Sequence, residues 1–191
     1  MSNYEMELAE ASESEDEEDE PMPTAEHSFI CANLITELNI FLRGKNLGWI
    51  FDSTLEYRFP NENKAGKKVS RYPDVSFVQQ EHLPDNIRSY LKVAPDLVVE
   101  VISPSDKDYD IDDKVDEYQR SGVRLIWVIH PASRTVDVYQ IANGPKSQRY
   151  IGEEELEGGD VIPGFKLKVS AIFNYPLPPK EIGIVESSSK E

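Results

Sequence analysis

From Ile30 to Leu42, apolar side chains recur at intervals of three and four, at Ile30, Leu34, Leu38, Phe41 and Leu42. This spacing predicts one buried stripe on a helix, with Gly44 as its stop. His27 falls in the first turn on the side of Ile30, Cys31 and Leu34, and Glu37 borders the stripe beside Ile30. At such places both read as packing or capping residues rather than ligands. Two segments with strand character follow, Trp49 to Asp52 and Thr54 to Phe59. A polar loop, NENKAGKK, joins them to an inner strand from Tyr72 to Val78, and Pro84 to Leu91 reads as one or two helical turns.

The run DLVVEVI, Asp96 to Ile102, is apolar and rich in β-branched residues. That composition suits a central strand covered on both faces. Ser103, Pro104 and Ser105 end it, and Asp110 to Ser121 reads as a helix stopped by Gly122. LIWVI, Leu125 to Ile129, is a second buried strand, and Thr135 to Gln140 alternates as a more exposed one. The order strand, helix, strand is a crossover unit, which predicts a parallel pair inside a mixed sheet. The fold class is therefore α/β (equally describable as α+β), with an antiparallel start and helices flanking a mixed central sheet. Asp160 to Phe173, DVIPGFKLKVSAIF, closes the domain with a turn and a short extended segment, and no internal repeat is visible.

Charge changes the picture mainly at the N-terminus. The chain of 191 residues carries a formal −16, but its first 26 residues hold 11 acidic groups and no basic one, which leaves −5 for the rest. Glu10 to Glu20, EASESEDEEDE, repels itself and has nothing to bury, so residues 1–23 are expected to be a disordered tail. Its role is either solubilising or autoinhibitory, as a mimic of nucleic acid. One domain is expected over residues 24–179, followed by a short tail at 180–191. The single cysteine, Cys31, excludes an intrachain disulfide framework and fits a reducing, cytoplasmic setting. No apolar run is long enough for a membrane span.

Three residues stand out against this frame. Glu100 is an acid amid Leu97, Val98, Val99, Val101 and Ile102, and a buried carboxylate is costly unless it is paired or bound to metal. Asp74 poses the same problem between Pro73 and the apolar Val75, Phe77 and Val78. Two acids on neighbouring strands repel, and a divalent cation between them would relieve the repulsion. Lys114 falls on helical spacing with Ile111 and Tyr118, toward the sheet, whereas Asp112, Asp113 and Asp116 face outward. Each residue has a plainer explanation: a structural ion pair for the acids, a snorkelling stem for the lysine. Together they are what phosphodiester hydrolysis at a metal requires. Lys64, Lys67, Lys68 and Arg71, just ahead of Asp74, are either phosphate contacts or ordinary solvated loop residues. His27, His82 and His130 lack zinc-site spacing, and no Walker loop, dinucleotide fingerprint or Gly-x-Ser-x-Gly elbow is present.

Pro73 and Asp74, followed by Glu100, resemble the PD-(D/E)xK superfamily of restriction-endonuclease-like phosphodiesterases. The superfamily's lysine belongs two residues after the second acid, where Ile102 stands here, but some members move it to the following helix, the place of Lys114. The segments RYPDVSFV, APDLVVEVISPS, DKVDEYQRSGVRLIWVIHP and IPGFKL resemble more specifically the Uma family of bacterial endonucleases, over roughly residues 26 to 175. The resemblance implies a restriction-endonuclease-like core, Asp74 and Glu100 as metal ligands, the Val101 carbonyl as a further ligand, and Lys114 as catalytic lysine. Tyr118 would orient that lysine or a phosphate. It also implies Mg or Mn as cofactor, nucleic acid (DNA ahead of RNA) as partner, a homodimer, and an acid from the first helix, for which Glu26 and Glu37 are candidates. The chain departs from the family pattern in having an acidic stretch where a short hairpin with Asp-Gly-Glu is usual.

The expectation is thus a Mg- or Mn-dependent endonuclease acting through a metal-activated water. Its rivals are a catalytically inactive module of a defence or mobile-element system that keeps the fold, and a structural protein with a metal-free ion-pair network. The −5 balance of the domain counts against tight nonspecific DNA binding, which depends on basic residues neutralising phosphates.

Overall fold

A computed structural model describes residues 23–62, 66, 68–86, 88, 91, 93–103, 108–141 and 147–176. The acidic stretch, Lys64, Lys67 and the whole C-terminal tail, 180–191, lie outside them. The first helix, α1 (Ala25–Leu42), starts at Thr24, whose Oγ1 accepts a hydrogen bond from the His27 backbone N–H at 3.2 Å. Ile30, Leu34, Leu38 and Leu42 are its buried stripe, and beyond its end Gly44 adopts φ +74°, as a helix stop requires.

A six-stranded sheet follows, built from β1 (Gly48–Asp52), β4 (Val75–Gln79), β5 (Leu97–Val101), β6 (Leu125–His130), β7 (Thr135–Gln140) and β8 (Ser147–Ile151). Its spatial order is β1-β4-β5-β6-β7-β8. Only β5 and β6 run parallel, joined by α2 (Asp108–Arg120); every other neighbouring pair is antiparallel. The expected crossover inside a mixed sheet is therefore present. β2 (Tyr57–Glu62) and β3 (Lys68–Arg71) form a separate hairpin, and β9 (Glu155–Glu157) pairs with β10 (Lys166–Lys168) ahead of a short α3 (Val169–Ile172).

Every residue of β5 is buried, as a strand covered on both faces demands. One face packs Leu97, Val99 and Val101 with Trp127, the α1 stripe and the C-terminal Leu156, Phe165 and Ile172. The other packs Val98, Ile126 and Val128 with Ile111, Val115 and Tyr118 of α2 and with Tyr57, Phe59 and Val69 of the hairpin. Because β5 alternates, Glu100 lies on the second face with Val98, under α2.

Two expectations need correction. β7 was expected to be more exposed, yet Thr135 to Val138 are all buried. The reason is β8, a polar edge strand that pairs along its outer side, from Thr135 opposite Ile151 to Tyr139 opposite Ser147. The 61–68 loop does not lead straight into the inner strand: β3 intervenes and pairs back on β2, with Tyr57 opposite Arg71. In the stretch read as helical turns, Pro84 to Leu91, residues 87, 89 and 90 lie outside the described residues; just ahead of it the chain makes a 3-10 turn, Gln80–His82. Among the described residues no helix is long and apolar enough to cross a membrane.

Gly48 enters β1 at φ +148°, and a Cβ there would lie 2.2 Å from the Val78 carbonyl oxygen and 2.6 Å from the Phe77 ring. Backbone and a buried ring cannot yield cheaply. Gly48→Ala is expected to cost about 3 kcal/mol, lowering Tm by roughly 6–12 °C in a thermal melt.

Candidate functional site

The site forms where the start of β4, the C-terminal half of β5, α2 and the first turn of α1 converge. Asp74 precedes β4, and its Oδ2 accepts a hydrogen bond from the Val101 backbone N–H at 2.7 Å. This contact holds Asp74 against the strand that carries Glu100. Glu100 is only 6% exposed, and each of its oxygens is engaged from α2. Lys114 Nζ donates to Oε2 at 3.0 Å, and the Tyr118 hydroxyl donates to Oε1 at 2.6 Å. Lys114 and Tyr118 are one helical turn apart, which is why both reach one carboxylate.

The electrostatics follow from burial. Desolvation pushes the Glu100 carboxyl above the usual carboxylate range; the Lys114 charge opposes that shift, and the Asp74 charge adds to it. The two acids thus feel each other, and a cation between them would offset both burdens. Two oxygen-donor carboxylates are the set that hard divalent ions such as Mg²⁺ and Mn²⁺ prefer, so the residues fit such an ion. Burial raises the Tyr118 phenol well above its ordinary value, and the Glu100 charge raises it further, so it remains a proton donor.

His27 does more than the packing or capping expected of it. Its backbone N–H serves the helix cap, but its ring Nε2 lies 3.1 Å from Asp74 Oδ1. The hydrogen bond to Asp74, aided by Cys31, lifts the imidazole to about 10 despite partial burial. His27 is therefore charged at neutral pH. Nothing local in the sequence marks it; only the docking of the start of α1 against the start of β4 brings it to the acid. Because this pKa is raised in the folded state, the pair's stabilisation is complete below pH 6.5 and disappears as pH rises through about 10. In EDTA, His27→Gln is expected to remove that alkaline slope from the Tm-versus-pH profile.

The remaining candidates have other settings. Arg71 is paired with Glu117 of α2, which commits its guanidinium to holding the hairpin on the helix. Lys68 is exposed at the start of β3. Glu26 is exposed, and its Oε1 accepts from the Tyr175 hydroxyl, whose ring stacks on Phe29. Glu37 lies ten residues beyond His27, about 15 Å along the helix.

Asp96 offers a useful contrast. It too is a buried acid, 4% exposed, at the opposite end of β5. Its carboxylate accepts from the Gln79 backbone N–H and from Arg124 NH2, both at 2.8 Å, and faces His82 Nδ1 at 2.9 Å. An arginine, a backbone donor and a histidine satisfy it as a structural clasp. Glu100 instead shares its surroundings with a second acid.

The family model described as "Putative restriction endonuclease", Uma2, matches residues 9–170. Among solved structures, a "putative nuclease" from Anabaena variabilis superimposes with a TM-score of 0.67 at 20% identity, covering 80% of this chain and 83% of that one. At that identity the likeness shows the fold, which is the α/β nuclease fold with its mixed sheet. The DrdV–DNA complex covers 80% of this chain and 85% of its own at 18% identity, but its TM-score of 0.37 is too low to bear on the argument. No curated protein matches. With 162 of its 191 residues inside the family model, the chain belongs to the Uma2 restriction-endonuclease-like family.

Proposed function

We propose that the protein is a nuclease that hydrolyses phosphodiester bonds, in DNA ahead of RNA, with Mg²⁺ or Mn²⁺ held between Asp74 and Glu100. The observation that carries this reading is a buried carboxylate, Glu100, lying within electrostatic reach of a second carboxylate while a lysine and a phenol converge on it. When bound, the cation would lower the pKa of its water and offset charge developing on the phosphate. Asp74 and Glu100 would hold it, with the Val101 carbonyl as a further donor. The Lys114 ammonium lies 3.0 Å from Glu100 on a side chain that is 32% exposed, and from there it would add positive charge to the phosphate. Tyr118, fully buried and donating to Glu100, acts as a positioning residue for that carboxylate. His27 holds Asp74 from the other side.

The reading is tested by incubating single- and double-stranded DNA and RNA with the full chain and Mn²⁺ or Mg²⁺, beside Asp74→Ala and Glu100→Ala variants shown by circular dichroism to be folded. Cleavage by the wild type alone supports it and identifies the substrate. Binding of nucleic acid without cleavage by any of them would turn the reading toward an inactive, nuclease-fold module.

A further inference from the structure

His27, Cys31 and Asp74 each offer one ligand atom, and those atoms lie within 4.8 Å of one another. Cys31 follows His27 by four residues on α1, so both project from one face of the helix toward the loop that carries Asp74. Cys31 Sγ is 3.7 Å from His27 Nδ1, and Asp74 Oδ1 is 3.1 Å from His27 Nε2. Ligands around a tetrahedral zinc-class ion sit roughly 3.3–3.8 Å apart, given metal–ligand bonds of about 2.0–2.3 Å. Closing the three atoms onto one ion needs movements of about 1 Å, with one imidazole nitrogen turned from its present partner to the ion and the imidazolium and thiol protons released to solvent as the ion binds. All three residues are only partly buried, and His27 lines a cavity of about 430 Å³ with Thr24, Glu26, Ser103 and Ser133, which gives an ion a path from solvent.

The chemistry of this set differs from that of the carboxylate pair. Thiolate and imidazole favour borderline ions such as Zn²⁺ or Co²⁺ and offer little to Mg²⁺. We propose that His27, Cys31 and Asp74 form a second cation site, selective for zinc-class ions, that shares Asp74 with the carboxylate site. Sharing makes the two sites compete: an ion held by the thiolate draws on the same carboxylate that the hard-ion site needs. Zn²⁺ is therefore an antagonist of Mg²⁺-supported function in this chain. The competition rests on the proposed nuclease reading; the site itself does not.

Co²⁺ is the probe, added to the full-length reduced protein and followed by absorption. Because Cys31 is the sole cysteine, any thiolate-to-cobalt charge-transfer band in the near ultraviolet reports on it alone. The wild type is expected to show the band, Cys31→Ser to lose it, and Asp74→Asn and His27→Gln to need at least about tenfold more Co²⁺ to reach it. Glu100→Gln, outside the triad, is expected to keep it. Zn²⁺ is expected to displace the band stoichiometrically, whereas millimolar Mg²⁺ leaves it. A wild type without the band, or a band whose midpoint Asp74→Asn and His27→Gln do not move, overturns the site. Since the readout needs no turnover, a protein that cleaves nucleic acid but shows no band refutes this inference alone. One that shows the band but never cleaves refutes the nuclease reading alone.

Discussion

Lys114→Met is expected to lower Mn²⁺-supported cleavage by about 10²–10³-fold, the usual cost of deleting one preorganised charge aimed at a developing anion. Methionine keeps the length and the apolar stem of lysine, so the packing of α2 over the sheet is preserved while the ammonium 3.0 Å from Glu100 is lost. The informative comparison is with metal binding. If Lys114 acts on the phosphate, the rise in Tm on adding Mn²⁺ persists in the variant while the cleavage rate collapses. If the Mn²⁺-induced rise disappears together with the rate, the lysine serves to hold Glu100 in place, and its catalytic assignment falls.

The second large effect is on stability. Without metal, Lys114 is the cation that compensates Glu100, so Lys114→Met leaves a nearly fully buried carboxylate facing Asp74. Removing one partner of a buried pair costs 3–5 kcal/mol; because Lys114 is one-third exposed, the lower end applies, about 3 kcal/mol, or roughly 6–12 °C in Tm. The pH dependence has a definite sign. Burial raises the Glu100 pKa above its unfolded value of 4.5, so the folded protein binds the extra proton and stability falls as pH rises through and above the carboxylate range. The deficit of Lys114→Met relative to wild type in EDTA is thus expected to be larger at pH 8 than at pH 5. Adding Glu100→Gln removes the stranded charge and is expected to recover most of the loss. A double variant no more stable than the single one would mean that the lysine stem, and not its charge, was what the fold missed.

The parts of the fold that were legible in the sequence are those whose surroundings are uniform. β5 is buried throughout and reads as an apolar run broken only by Glu100, and β6 is apolar up to His130; α2 shows helical spacing and stops at Arg120, just ahead of Gly122, which adopts φ +95°. β8 was not legible, because its residues Ser147 to Ile151 lie at the sheet edge, mostly exposed, and carry no apolar alternation. β3 was hidden for a similar reason: of its four residues only Val69 is buried. The placement of Glu100 beneath Lys114 and Tyr118 could be anticipated because it needs only local periodicity and the crossover rule. His27 could not, since its contact with Asp74 joins elements 47 residues apart through a docking angle that no local pattern encodes. Asp96 shows the limit of the buried-acid argument: it sits at the edge of the same apolar run as Glu100, and only tertiary partners distinguish a clasp from a candidate site.

The most direct test of the proposed metal site is Mn²⁺-dependent nicking of supercoiled plasmid DNA by wild type and Glu100→Gln, prepared in parallel and matched for folded concentration. Glutamine keeps the shape and one acceptor oxygen, replaces the other with a donor NH2, and removes the charge that would hold the ion. An ion held at Glu100 requires nicking by the wild type that EDTA abolishes, and a rate at least about 10²-fold lower for the variant. Equal nicking by the two proteins, with or without EDTA, would contradict it.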